Sequence, residues 1–333
     1  MPDIKKQRRG VAVAKTDRDT LVQLATLYYL GDMSQEQLSQ IMGISRTKVS
    51  RLLKQCREQK IVEFKINATD HIVGQLEEEL LGKLGLRELH IVPSAASADE
   101  SRRNVGKRAA QLLAASLRNN MMVGIAWGST IREMVDQVVP AHLADNAAVI
   151  QLSGGFNLSS TDCNERELAK VLAMKLDARS YAFQAPILVQ SPLLRSLFLK
   201  EPEIHRHFQL FDKVDMAFLG VGSCDPYEGM MYKSGYLTLD ETKQLIDMNA
   251  IGDLCGHRIA PNGDHIKTFL DQRIIAIDLE KLKKIPRKVV LAAGRNKAES
   301  IIAACRGGYV DVLVTDEIAA MTIQRMLRSE EEK

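Results

Sequence analysis

Between residues 88 and 328, short apolar runs alternate with amphipathic stretches of helical length, and no other feature of this 333-residue chain constrains its fold as strongly. The runs Leu89–Val92, Met121–Ala126, Ala148–Leu152, Ser180–Phe183, Met216–Val221, Val289–Ala293 and Val312–Thr315 read as strands. Helical spacing falls at about 99–118, 129–138, 163–177, 240–249, 296–306 and 316–328. Strands alternating with helices require crossover connections. The expectation is an α/β fold, a doubly wound, mostly parallel sheet with helices on both faces.

The residues that follow the strands say what such a sheet could bind. Met121–Ala126 leads into Trp127-Gly128-Ser129-Thr130, Ala148–Leu152 into Ser153-Gly154-Gly155, and Ser180–Phe183 into Gln184-Ala185-Pro186. Met216–Leu219 leads into Gly220-Val221-Gly222-Ser223, and Val289–Ala293 into Gly294-Arg295-Asn296-Lys297. Open α/β sheets bind ligands at the carboxyl ends of their strands. Glycines there let backbone amides approach, and a helix start supplies free N–H groups suited to phosphate. Ser129 and Thr130 add hydroxyls, and Lys297 adds a full charge. Gly220-Val221-Gly222 is followed by Cys224, Asp225 and Pro226, so it is no dinucleotide fingerprint, and the chain has no P-loop. Together these loops favour a small polyhydroxylated or phosphorylated ligand.

A second pattern precedes the sheet. Leu21, Leu24, Ala25, Leu27, Tyr28 and Leu30 place an apolar stripe on a helix from about Asp17 to Leu30, ended by Gly31-Asp32. Ser34 and Gln37 have capping-box spacing, and they open a short helix with Leu38 and Ile41 facing inward. Gly43 supplies a tight turn. Ser45 caps a third helix to about Gln59, with Val49, Leu52, Leu53 and Cys56 on its buried side. This is a helix-turn-helix, and alternation over Ile61–Ile66 suggests the strand of a wing. The third helix turns Arg46, Thr47, Lys48, Ser50, Arg51 and Lys54 outward, where a recognition helix meets base edges and phosphates. With Ser34, Gln35 and Ser45, these are the candidate DNA contacts.

The charge distribution agrees. Residues 1–65 hold 13 Lys/Arg against seven Asp/Glu, while the rest of the chain holds 32 against 35. A basic head on a faintly acidic body points to nucleic acid near the N-terminus. At 45% hydrophobic and 26% charged residues the composition is that of a globular protein. No apolar run approaches the roughly 20 residues needed to span a bilayer, and the basic N-terminus has no signal-peptide core. A membrane or secreted protein is therefore not expected. The five cysteines are odd in number and contain no CxxC pair, so they read as reduced thiols of a cytoplasmic protein. His205-Arg206-His207 and Cys255-Gly256-His257 lack further ligands close in sequence. Neither a metal site nor a cofactor is expected.

Gln75–Leu84 carries Leu76, Leu80, Leu81 and Leu84 at helical spacing and reads as a linker that could pair with a second copy. The expected layout is a basic tail over 1–16, a winged helix-turn-helix over 17–67 and a linker helix over 68–87. The effector domain follows over 88–328, with a charged tail over 329–333.

From about Asp19 to Leu327 the chain resembles the SorC family of sugar-responsive transcriptional regulators. In the head the likeness rests on Tyr28-Tyr29, the Ser34–Leu38 cap and the run from Gly43 to Leu53. In the body it rests on Gly128-Ser129-Thr130, Leu152-Ser153-Gly154-Gly155, Ala185-Pro186, Gly220-Val221-Gly222 and Gly252-Asp253. Ala293–Lys297, Gly307-Gly308-Tyr309 and Thr315-Asp316 complete it. The resemblance implies a cytoplasmic regulator, a repressor of a carbohydrate or polyol operon, usually tetrameric, with an effector domain like the sugar-phosphate isomerases. It further implies operator DNA and a sugar, polyol or sugar-phosphate effector as partners. The effector's phosphate would sit at Gly128–Thr130 and Lys297, and its sugar portion near Asp253 and Gln184. Lys60 departs from the family, where many members carry glycine before the wing.

The competing reading is an enzyme, a sugar-phosphate isomerase or deaminase. It needs a positioned general base. Asp253, Asp316 and Glu317 are carboxylates in possible sites, but binding hydroxyls or capping a helix explains them as well. A sigma-like or recombinase module would share the head and leave the body unexplained.

Overall fold

The computed structural model describes residues 18–29, 31, 33–62, 70–155, 167–225 and 229–332. The chain divides into two compact units at Asn67/Ala68. In the first, α1 (Arg18–Tyr29), α2 (Gln35–Met42) and α3 (Arg46–Glu58) enclose a small core of Leu21, Leu24, Leu38, Val49, Leu52, Leu53 and Cys56. The capping box is formed: the Gln37 amide donates to Ser34 Oγ at 3.2 Å and the Ser34 amide to Gln37 Oε1 at 2.9 Å. Gly43 ends α2 at φ 62°, its amide bonded to Ser39 O. Ser45 Oγ accepts from the Lys48 amide at 3.3 Å and starts α3.

One expectation fails here. Ile41 is 60% exposed, and Met42 is the residue half-buried against the core. With Leu38 the sole buried residue of α2, the apolar face runs from Leu38 to its i+4 neighbour and leaves i+3 outside. Lys60 adopts φ 53°, the left-handed conformation that glycine reaches without strain. Ile61 and Val62 pack against the core; the remainder of the expected wing strand lies outside the described residues, as do the tail over 1–16 and Cys163.

The second unit opens with α4 (Asp70–Lys83), whose Leu76 and Leu80 are buried, together with Leu84, in that unit's own core. This face is therefore occupied within the chain, not left open for a second copy. The sheet contains β1 (Glu88–Val92), β2 (Met122–Ile125), β3 (Ala148–Gln151), β4 (Arg179–Tyr181), β5 (Met216–Gly220), β10 (Arg287–Ala292) and β11 (Val312–Asp316). All pair in parallel, in the order β1-β11-β10-β5-β2-β3-β4. The central strands are buried on both faces, which is why they appear as unbroken apolar runs. Alternate residues feed two cores. Met216, Phe218, Val289 and Leu291 meet α5 (Ala98–Ser116), α6 (Ser129–Gln137) and α7 (Leu168–Leu176). Ala217, Leu219 and Val290 meet the opposite face, with α4, α13 (Ala298–Arg306) and α14 (Glu317–Glu331).

Between β5 and β10 the chain builds an insertion in which only the helix read at about 240–249 has a periodic signature. After β6 (Gly222–Ser223) come α10 (Met230–Lys233) and α11 (Leu239–Asp247), then β7 (Gly252–Leu254), β8 (His257–Ile259), β9 (His265–Ile266) and α12 (Leu279–Lys284). The strands β6-β7-β8-β9 form a separate antiparallel sheet. Helices α8 (Pro192–Lys200) and α9 (Pro202–Leu210), each with proline in its first turn, lie between β4 and β5. Among the described residues no helix is long and apolar enough to cross a membrane.

Candidate functional site

The outward residues of α3 lie where the sequence places them. Arg46, Thr47, Lys48, Ser50, Arg51 and Lys54 are exposed, and Lys54 makes an exposed pair with Glu58 at 3.7 Å. Ser34 and Ser45 spend their oxygens on helix caps, while Gln35 is half-buried at the start of α2. The face offers two guanidinium forks for guanine edges and lysines and hydroxyls for phosphates. Arg46→Ala and Arg51→Ala should each weaken operator binding by about 1–3 kcal/mol where the side chain reads a base. A phosphate contact would instead lose affinity equally on all sequences and flatten the salt slope. Mobility shifts on operator and random DNA at two salt concentrations separate these outcomes, and unchanged affinity for both variants would remove α3 from the interface.

The body presents a crevice at the carboxyl ends of three adjacent strands, β10, β5 and β2. From β2 the chain proceeds outward through β3 and β4, and it then returns to place β5 on the other side of β2. The connections leave toward opposite faces here, which opens a cleft between the strand ends. Trp127, Gly128, Ser129 and Thr130 line it from β2, Gly220 to Gly222 from β5, and Ala292 and Lys297 from β10. Met230, Asp253 and Cys255 close it from the insertion. Gly128 is the N-cap of α6 and offers no side chain, so the first amides of that helix have no intrahelical acceptor. Lys297 stands at the N-cap of α13, reached through a 3-10 turn over Arg295–Lys297.

Asp253 faces the crevice from β7 and is buried. Its Oδ2 accepts from the Gly256 amide at 3.3 Å, and Arg258 Nη1 lies 3.6 Å from Oδ1. Arg258 is itself buried, anchored by a bond from Nη1 to Gly256 O at 3.1 Å. Asp253 and Arg258 are directly opposed in the β7–β8 ladder, the arrangement in which opposite charges stabilise a strand pair. Sequence reasoning missed Arg258. The available signal was the two-residue hairpin loop Cys255-Gly256, with φ 50° and 90°, but cysteine is not a typical first residue of such a turn.

The described thiols at and beside the crevice, Cys255 and Cys224, are not primed for covalent chemistry. Burial pushes the Cys255 thiol up to about 12 and the Cys224 thiol up to about 11, the latter against the pull of Arg258 and Lys297. Thiols held this far from ionisation are inert at neutral pH. Asp316 acts as a cap: its Oδ1 accepts from the Ala319 amide at 3.1 Å and from the Gly294 amide at 3.0 Å, which fixes the loop before Lys297.

The structure brings Gly128, Ser129, Thr130, Gly222, Asp253 and Lys297 together, with Asn296 beside Lys297 in the same turn. Gly154, Gly155 and Pro186 serve a different contact. A Cβ on Gly154 would lie 2.5 Å from Pro186 O, and Gly155 bridges to Pro186 through its backbone. Gln184 lines a separate cavity of about 870 Å³ beyond β4, with Phe183, Arg206 and His207. That cavity is larger than the crevice, but it lies at the sheet edge, has no glycine-lined strand end, and meets the start of α9 at Glu201 and Glu203, whose carboxylates disfavour an anion there.

Comparison with known proteins agrees with this geometry. The family described as "Putative sugar-binding domain" matches residues 72–325. The sorbitol operon regulator of Klebsiella pneumoniae is 28% identical over 302 residues, covering 90% of this chain and 96% of that protein. The deoxyribonucleoside regulator of Bacillus subtilis is 26% identical over 304 residues, covering 91% and 96%. The crystal structure of the full-length Klebsiella regulator, SorC, superposes with a TM-score of 0.72 over 93% of this chain and 99% of that one. The likeness thus spans both head and body, and the relatives are regulators, not enzymes. A helix-turn-helix head, a parallel sheet with a crevice at its switch point and a family match over most of the body lead to one conclusion: the chain belongs to the SorC family of sugar-binding transcriptional regulators.

Proposed function

We propose that the protein represses a carbohydrate or polyol operon in the cytoplasm and is controlled by a small phosphorylated sugar or polyol bound in the crevice. The observation that carries this reading is the convergence of three chemistries at one strand edge. The first turn of α6 offers amides and the Ser129 and Thr130 hydroxyls, Lys297 offers an ammonium, and Asp253 offers a buried carboxylate. A phosphate dianion leaving water needs several donors and a counter-charge. Sugar hydroxyls need an acceptor on the other side, and Asp253 is placed to be one. The head binds operator half-sites through α3, and two-fold reading of paired half-sites requires at least a dimer. By family likeness the assembly is a tetramer. The effector changes DNA affinity by no more than its differential affinity for the two arrangements of the body.

A thermal-shift screen of sugars, polyols and their phosphates tests the assignment. A ligand at a hundred times its Kd adds about 2.7 kcal/mol of stability to the folded state. With the hit in hand, Lys297→Ala should weaken effector binding roughly 10–100-fold, the worth of a hydrogen bond to a charged group, and leave operator affinity intact. A normal response in Lys297→Ala with a lost response in Asp253→Asn would mean an unphosphorylated polyol. A normal response in both would place the site elsewhere.

A further inference from the structure

The small antiparallel sheet carries a cluster that the effector crevice does not use. Side chains at 257 and 259 share one face of β8, and β9 pairs His265 with Ile259. His257 and His265 are therefore diagonal neighbours on that face, within reach for imidazoles. The chain then turns through Thr268 and delivers Asp271 between them. His257 Nδ1 lies 2.9 Å and His265 Nε2 2.7 Å from the same oxygen, Asp271 Oδ1. The other oxygen, Oδ2, accepts from the Thr268 amide at 2.7 Å and the Thr268 hydroxyl at 3.1 Å.

We propose that His257, His265 and Asp271 bind one divalent transition-metal ion of the zinc type. Three ligand atoms from two imidazoles and a carboxylate converge within 4.8 Å of one another. The ion prefers N and O ligands at about 2.0–2.2 Å, with ligand atoms spaced by roughly 3.3 Å in a tetrahedron. The two N···O spacings, 2.9 and 2.7 Å, need to open by only about 0.5 Å to reach it. Imidazole ligands select zinc-type ions over calcium or magnesium, which favour all-oxygen sets. Thr268 supplies the outer support that holds a ligating carboxylate in one orientation. Both rings aim a nitrogen at the same oxygen, Asp271 Oδ1, so their lone pairs converge on one point when the ring nitrogens there are unprotonated. His265 and Asp271 are partly exposed, so a water completes the fourth position.

The contrast with His142 shows what convergence adds. That ring meets Asp177 through Nδ1 and Asp145 through Nε2, on opposite edges and at an exposed site, so no single point is shared. At the proposed site the ion ties β8, β9 and the following turn together, next to the hairpin that carries Asp253 and Arg258. The proposal stands independently of the effector assignment.

Untagged full-length protein, stripped with a chelator, is titrated with Co²⁺ and then with Zn²⁺. The expected result is one Co²⁺ per chain, visible d–d absorption without a thiolate charge-transfer band, displacement by Zn²⁺ and a higher Tm. His265→Ala and Asp271→Asn should abolish stoichiometric binding. Thr268→Ala should weaken it roughly 10–100-fold, and His142→Ala should leave it unchanged. No binding at one equivalent, a thiolate band, or unaltered affinity in His265→Ala would overturn the proposal. The wild-type spectrum needs no substitution, so the test holds even where Asp271→Asn does not fold.

Discussion

Gly222→Ala is expected to shift the effector response to roughly 10–100-fold higher effector concentration while leaving operator binding and secondary structure unchanged. Gly222 pairs with Asp253 across the β6–β7 ladder. A Cβ on Gly222 would sit 1.7 Å from Asp253 Oδ1 and 2.6 Å from its Cγ. The carboxylate has little room to retreat, because Gly256 holds one oxygen and Arg258 stands beside the other. It must swing away from the crevice and from any sugar hydroxyl it would accept. Hydrogen bonds to a charged group are worth about 1.5–3 kcal/mol each, so effector affinity should fall roughly 10–100-fold. Calorimetric titration of the effector measures the fall, and circular dichroism controls for folding. Wild-type affinity in this variant would mean that Asp253 does not contact the ligand.

Gly263→Ala should be the most destabilising small substitution in the insertion. Gly263 has φ 85°, and its Cβ would approach Gly307 N at 2.1 Å and Ala303 O at 2.5 Å. Both are backbone atoms at the end of α13, so no side chain can rotate aside. Overpacking of this kind costs about 1–3 kcal/mol, and a left-handed backbone adds about 1–3 kcal/mol. The expected loss is therefore about 2–6 kcal/mol, reaching the upper end for point substitutions. Gly235 provides the control. It has φ 72° with nothing within 4 Å of the Cβ position, so Gly235→Ala should cost backbone strain alone. Urea titration of both variants measures the difference, and equal midpoints would show that the packing of the Gly263 turn on α13 contributes nothing.

Several parts of the molecule were legible from residues a few positions apart. The capping box of α2 needs only Ser34 and Gln37, and Asp316 caps α14 by a bond to a residue three positions on. The central strands are recognisable because burial on both faces demands continuous apolar runs, as in β3 and β11. Their order places Gly128–Thr130, Gly222 and Lys297 on one edge, as the strand-end loops suggested. Ile41 shows the limit of such reading. In an eight-residue helix, rotation by a fraction of a turn decides which apolar residue is covered, and packing against α1 and α3 sets it.

Sequence periodicity, capping and charge thus determine the head, the parallel sheet and the strand ends that gather Gly128–Thr130, Gly222 and Lys297, because each depends on interactions repeated along one segment. The insertion is different in kind. Its strands β6 to β9 are two or three residues long, too short to carry a period, and their pairing joins residues up to about 30 positions apart. Arg258 beside Asp253, the close fit of Gly222, and the meeting of His257, His265 and Asp271 all arise from that pairing. Gln184 parts company with the crevice for the same reason, since α8 and α9 form a separate cavity around it at the sheet edge. Non-local contacts of this sort leave no local pattern, and only the folded chain brings their partners within reach.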